Sequence, residues 1–301
     1  MELAFTGPLS PYASAAVYVG VHEAETFEIE EARISLDRWL PGGLGVTAGR
    51  YLQDVGQLNP RHAHACPFVE RPLAHAAFFG PDGIVDAGLR LDWIAPLDAV
   101  TVRTSLGVIR GDAFLDDHHH DDEAEEDPAE LEAAPDPGLT GRVELFLEAG
   151  RNVAVSIGGS ALRGHHDPAE GADVTWLGAD ARARWDLGAS RELVLNAELL
   201  RGALGGTAEA EAADPWGWFA SADLRVDRHW SVGGFAESTT ARHDDRATTS
   251  RFGGFVGYAL FEESTVFRLV GRSTEPDGAD ATMDAIAQLV FGLGPHQPHR
   301  Y

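Results

Sequence analysis

Hydrophobic positions recur at every second residue along most of this 301-residue chain. In LTGRVELFLEAGRN, Val143, Leu145 and Leu147 alternate with Arg142, Glu144 and Glu148. Successive side chains of a strand point to opposite faces, so the pattern predicts a β-strand with one greasy and one charged side. The pattern returns at Ala181–Leu187, where Asp180, Arg182, Arg184 and Asp186 occupy the alternate places. It returns again around Leu193–Leu199 against Glu192, Asn196 and Glu198, and around Ala222–Val226 against Asp223, Arg225 and Asp227. Phe267 and Leu269 alternate with Arg268 and Arg272, and Leu289 and Phe291 with Asp284 and Gln288. Helical spacing is absent from these windows. About 15 strands of roughly ten residues are predicted, the length that crosses a bilayer when tilted.

The connections sort by length. Short ones fall at PLSPY, LPGGLG, APLDA, EAGRN, LGASRE, VDRHW and FEES. Long polar ones lie between them, at 57–86, 111–138, 165–171, 204–215, 243–249 and 275–280. Short turns on one rim and long loops on the other are the habit of transmembrane barrels. The charged faces point the same way. A dry core holding Arg182, Arg184, Glu198, Asp223 and Arg268 would cost several kcal/mol per ion even with pairing, whereas a water-filled lumen removes that cost. The expected fold is therefore all-β, a single up-and-down antiparallel transmembrane β-barrel over 1–301. Residues 57–86 form an in-folded loop and 111–138 an acidic, His-rich extracellular loop. The seven Trp mostly fall near predicted strand ends, where interfacial girdles sit.

Composition narrows the function. The formal net charge is -25, every basic residue other than His is Arg, and nucleic acid would be repelled. The single Cys, Cys66, forms no intramolecular disulfide. The opening MELAFTGPLSPY has no basic-then-apolar leader and starts inside a strand-like segment. The expectation is an N-terminally truncated barrel whose parent has 16 strands, since bacterial barrels favour even numbers. Nucleophile elbow, P-loop and dinucleotide fingerprint are all missing, and GALGGT is a lone glycine cluster. An enzyme is not expected.

From Leu44 to Pro96 the residues carry a further signal. Gly49-Arg50 ends a strand; Leu58-Asn59 precede His62 and His64; Pro67-Phe68 precede Arg71-Pro72-Leu73; Phe79-Gly80 lead through Gly83, Asp86 and Gly88 into the next strand. This succession resembles a bacterial outer-membrane β-barrel family related to the phosphate-selective porins. Its members are often labelled zinc-regulated TonB-dependent outer membrane receptors. The tail QLVFGLGPHQPHRY is similar to that family's end, with Tyr301 as the terminal aromatic that the barrel-assembly machinery reads. The resemblance implies a bacterial outer-membrane location, lipid around the wall, and small solutes or metal cations as partners. A homotrimer is the assembly expected.

Three sets of residues are candidates for the site. Arg61, Glu70 and Arg71 of the in-folded loop, facing Arg182 and Arg184 of the wall, would form a pore constriction that screens ions. His118, His119 and His120, flanked by Asp121 and Asp122, offer imidazole and carboxylate ligands to zinc or similar ions; a solvated acidic loop explains the same run. His62, His64 and Cys66 would share one face of an extended segment, a second metal candidate, with a packed constriction loop as the alternative. No cofactor is expected beyond loosely bound zinc. Function is thus expected to be a porin-like channel with a modest cation preference set by the acidic loops, or else a non-conducting or gated metal-binding receptor.

Overall fold

A computed structural model describes residues 2–22, 26–36, 40–62, 66, 68–115, 135–208, 210–260 and 265–292. Its first strands are β1 (Glu2–Ser10), β2 (Ala13–His22), β3 (Thr26–Leu36), β4 (Leu44–Leu52), β5 (Val85–Leu97) and β6 (Val100–Ile109). They continue as β7 (Gly138–Glu148), β8 (Val153–Asp167), β9 (Ala172–Gly188), β10 (Arg191–Leu204) and β11 (Trp216–Arg225). β12 (Trp230–Thr240), β13 (Thr248–Ala259), β14 (Thr265–Pro276) and β15 (Thr282–Phe291) complete the set. All belong to one 15-stranded sheet in sequence order, each strand antiparallel to the next, as in Arg103↔Glu144 and Arg182↔Asn196. This is the up-and-down barrel wall that the period-two pattern predicts. One helix, α1 (Leu73–Phe79), lies between β4 and β5.

The two faces differ as the alternation requires. Leu89, Leu91, Leu106, Val143, Leu199, Phe252 and Leu269 point outward and are exposed, while Thr47, Ser105, Arg142, Ser156, Asp180, Glu198 and Ser221 point inward and are buried. An apolar outer belt beside a polar interior suits a wall with lipid outside and water inside. The strands β8, β9 and β10 run to 15, 17 and 14 residues, more than the roughly ten a crossing needs. Towards their long-loop ends the outward positions become Arg163, Asp173 and Arg201, all more than half exposed, so these strands leave the lipid there. Trp93, Trp185, Trp216, Trp218 and Trp230 are outward and exposed. Trp176 is a correction to the girdle expectation: it shares the inward parity of Asp180, is 1% exposed and stacks on Phe78 with ring centroids 4.7 Å apart. Trp39 lies outside the described residues.

Glycine is required at Gly49 on β4, where φ is +128° and an added Cβ would run into the Ala32 carbonyl oxygen and the Arg33 backbone of β3. Gly49→Ala should therefore cost roughly 1–3 kcal/mol of backbone strain. It should lower the temperature at which the folded barrel loses its anomalous gel migration. Gly7→Ala, which meets nothing within 4 Å, is the control and should leave that temperature unchanged. Equal behaviour of the two variants would contradict the strain argument.

Candidate functional site

Residues 53–84 leave β4 and turn into the barrel. Two apolar groups explain why. Val55, Ala74, Phe78 and Ile84 pack with Leu162, Val174, Trp176 and Leu200 of the inner wall. Leu58, Cys66 and Phe68 pack with Phe219, Phe235, Phe255 and Val270. Burying this surface is worth about 25 cal/mol per Å². The segment thus lies against β8 to β14, and its acceptors fix the register. Gly56 N–H donates to Ser160 Oγ at 3.2 Å and Gln57 N–H to Glu198 Oε2 at 3.0 Å. His75 Nε2 meets the other Glu198 oxygen at 2.5 Å, and the Leu73 N–H at the start of α1 donates to Glu237 at 2.6 Å. Arg242 donates to the carbonyls of Phe78 and Phe114, at 2.8 and 2.6 Å.

The residues that carry the family resemblance build the inside of this segment. The Asn59 side chain donates to Gln53 and Ile84 carbonyls and accepts from the Ile84 N–H. Gly83, at φ +76°, leaves room for Asn59 and the Arg71 guanidinium where a Cβ would collide with both. Asp86 accepts the N–H groups of Ala87, Gly111 and Ala113. Arg71 is 5% exposed and donates to the carbonyls of Leu58, Asn59, Arg61 and Pro81. That departs from its expected place in a constriction: it is a clamp inside the loop, with four carbonyls satisfied by one fork. Burial pushes its pKa down.

The cavity left beside the segment is lined by β1 to β9 and by β15, and measures about 1650 Å³. One side carries a row of arginines: Arg90, Arg103, Arg142, Arg182 and Arg184, approached by Arg61 of the loop. Most are tied to acids. Arg142 holds Asp180 through two bonds, at 2.5 and 3.0 Å, and Arg103 holds Asp54 at 3.1 Å. Arg184 pairs with Glu192 at 2.6 Å. Arg182 feels the like charges of Arg61 and Arg184. The other side carries Glu2, Glu30 and Glu31. Three expected constriction residues, Arg61, Arg182 and Arg184, are thus brought together. Glu70 is held elsewhere on the lumen, by Arg272 at 2.5 Å.

His62 reaches the acidic side. Its Nε2 lies 2.8 Å from Glu31, and its Nδ1 lies 3.1 Å from Glu2 and 3.5 Å from Glu30. Burial opposes the charged ring, but these three carboxylates outweigh it and the His62 pKa is pushed up to about 11. Cys66 does not join His62. Cys66 is buried among phenylalanines, where burial raises the thiol pKa. His64, His118, His119, His120, Asp121, Asp122 and Tyr301 lie outside the described residues. Sequence reasoning missed the anchors His75, Glu237 and Arg242. An inward parity on β12 was a usable signal for Glu237; nothing in the sequence singled out the other two.

No protein-family profile and no curated protein matches the chain. Solved structures do. A loop-deletion mutant of OmpT from Vibrio cholerae is similar with a TM-score of 0.61 at 11% identity, covering 95% of this chain and 88% of that one. A trimer form of in-vitro folded OmpT gives 0.56 at 10%, over 96% and 87%. An anion-selective porin from Comamonas acidovorans gives 0.59 at 12%, over 96% and 83%. The fold is that of bacterial outer-membrane β-barrels.

Proposed function

We propose that the chain is a porin-like outer-membrane channel for small hydrophilic solutes and ions, without catalytic activity. The observation that carries this reading is the large charged cavity that the wall keeps beside the in-folded segment. It favours conduction over a non-conducting receptor. The trimer form among the similar structures supports a homotrimer, and the sequence resemblance supports kinship with phosphate-selective porins. Zinc capture by the His-rich loop rests on its imidazole and carboxylate ligands. Ohmic steps in planar bilayers are the expected result; a folded barrel that stays silent would overturn the reading.

Selectivity divides between mouth and lumen. Five carboxylates and seven arginines line the passage, so the lumen by itself leans slightly towards anions. The 111–138 loop has a dense run of Asp and Glu and no Arg. Placed at the mouth, it would concentrate cations over a Debye length of about 8 Å at physiological salt. A modest cation preference is expected, weakening as salt rises. Deleting residues 116–132 should move the reversal potential across zero to the anion side, because the arginine-lined passage then decides. An unshifted potential would remove the mouth from the mechanism. The anion selectivity of the Comamonas porin belongs to that protein.

A further inference from the structure

We propose that Glu2, Glu30 and His62 form a divalent-metal site of the zinc class that latches the tip of the in-folded segment to the opposite wall. Its three ligands come from β1, β3 and the segment 53–84, and the site rests on the channel reading only in needing a water-filled lumen for ion access.

Backbone geometry aims the carboxylates. Glu30 and Glu31 are adjacent, and in a regular strand one of them would face lipid. The β2–β3 ladder slips here: Tyr18 pairs with Glu31 while Val19 pairs with Ile29. Glu30 is therefore the extra residue of a β-bulge, the device that re-aims a side chain beside a site. It turns both carboxylates inward, and Ile29 keeps its outward, exposed place.

The spacing suits a metal. One ligand atom from each of Glu2, Glu30 and His62 lies within 4.8 Å of the others, and the two carboxylates stand 3.1 and 3.5 Å from His62 Nδ1. An ion bonded tetrahedrally at about 2.0–2.2 Å sets neighbouring ligand atoms roughly 3.4 Å apart. Three protein ligands leave a fourth position for water or a passing solute. The far side of the ring is already prepared. Nε2 bonds Glu31 at 2.8 Å, and Glu31 is itself held by Arg33 at 2.7 Å and by the Leu52 N–H at 3.3 Å. A carboxylate behind a ligating imidazole fixes the ring and strengthens it as a donor. A metal at Nδ1 takes the place of the proton that the charged ring carries there, and the three carboxylates with Arg33 then leave an excess of negative charge that the dication offsets.

The test uses the full chain refolded in detergent, titrated with Zn²⁺ and, for its spectrum, Co²⁺. All variants carry His118, His119 and His120 changed to Asn so that only the lumen site is read. A single saturable site with the visible absorption of four-coordinate Co²⁺ is expected. Glu30→Gln should abolish that absorption, and Glu31→Gln, which spares the ligands, should weaken Zn²⁺ binding by about 10–100-fold. Zn²⁺ should also slow tryptic cleavage after Arg61 in the parent and not in Glu30→Gln. Absent binding, or equal binding in parent and Glu30→Gln, would overturn the site. Such a result alongside ohmic conductance leaves the channel intact, whereas binding in a silent barrel would leave the site and remove the channel.

Discussion

Replacing residues 57–83 by a short Gly-Ser linker is expected to raise single-channel conductance several-fold. Barrel width grows with strand number, and walls of about 16 strands enclose an aqueous channel. In this protein the segment fills the side of the lumen along β8 to β14, held there by its two apolar groups. What remains is the passage beside Arg61, Arg182 and Arg184. Current through a water-filled pore scales with its cross-section, so removing the filler should outweigh any single change of charge. The deletion also uncovers Phe219, Phe235, Phe255 and Trp176 to water, at about 25 cal/mol per Å². A loss of thermal stability is expected with the gain in conductance. The wall should still fold, because its ladders join neighbouring strands and none of them uses the segment. Unchanged conductance in a variant that keeps heat-modifiable migration would mean that the segment does not set the pore.

The wall was legible because a barrel repeats one local rule. Arg142 and Val143 occupy opposite faces, as period-two alternation demands, and Trp176 was readable by the same rule since it shares the parity of Asp180. The inward path of 57–86 had a cue in its composition, for CPFVERPL and AAFF are too apolar for a solvated loop of that length. What could not be read is whatever depends on one residue's departure from the pattern. Glu30 and Glu31 should face opposite ways, and only the slipped ladder beside Tyr18 brings them to one side. Arg71 carries the charge expected of a pore residue, yet the turns around Leu58 and Pro81 enclose it. Partnerships such as His75 with Glu198, separated by 123 positions, leave no local trace in a sequence.

That last pair yields the second large effect. Glu198→Ala is expected to release the in-folded segment while leaving the wall in place. Glu198 is 5% exposed, with one oxygen on the His75 ring, itself 1% exposed, and the other on the Gln57 N–H. Removing one partner of a buried pair leaves the other uncompensated, at a cost of about 3–5 kcal/mol. The cost falls on the segment, because β10 keeps its backbone ladders with β9 and β11. Proteolysis of a transiently opened region follows the population of its open form, and each 1.4 kcal/mol is about tenfold. Trypsin should therefore nick Glu198→Ala after Arg61 roughly 100- to 3,000-fold faster than the parent, with open-channel noise rising in step. Glu198→Gln keeps an acceptor for the Gln57 N–H and loses the charge facing His75, so it should fall between the two. Cleavage of Glu198→Ala at the parent's rate would show that the apolar contacts alone hold the segment, and that the buried pair contributes nothing to its closure.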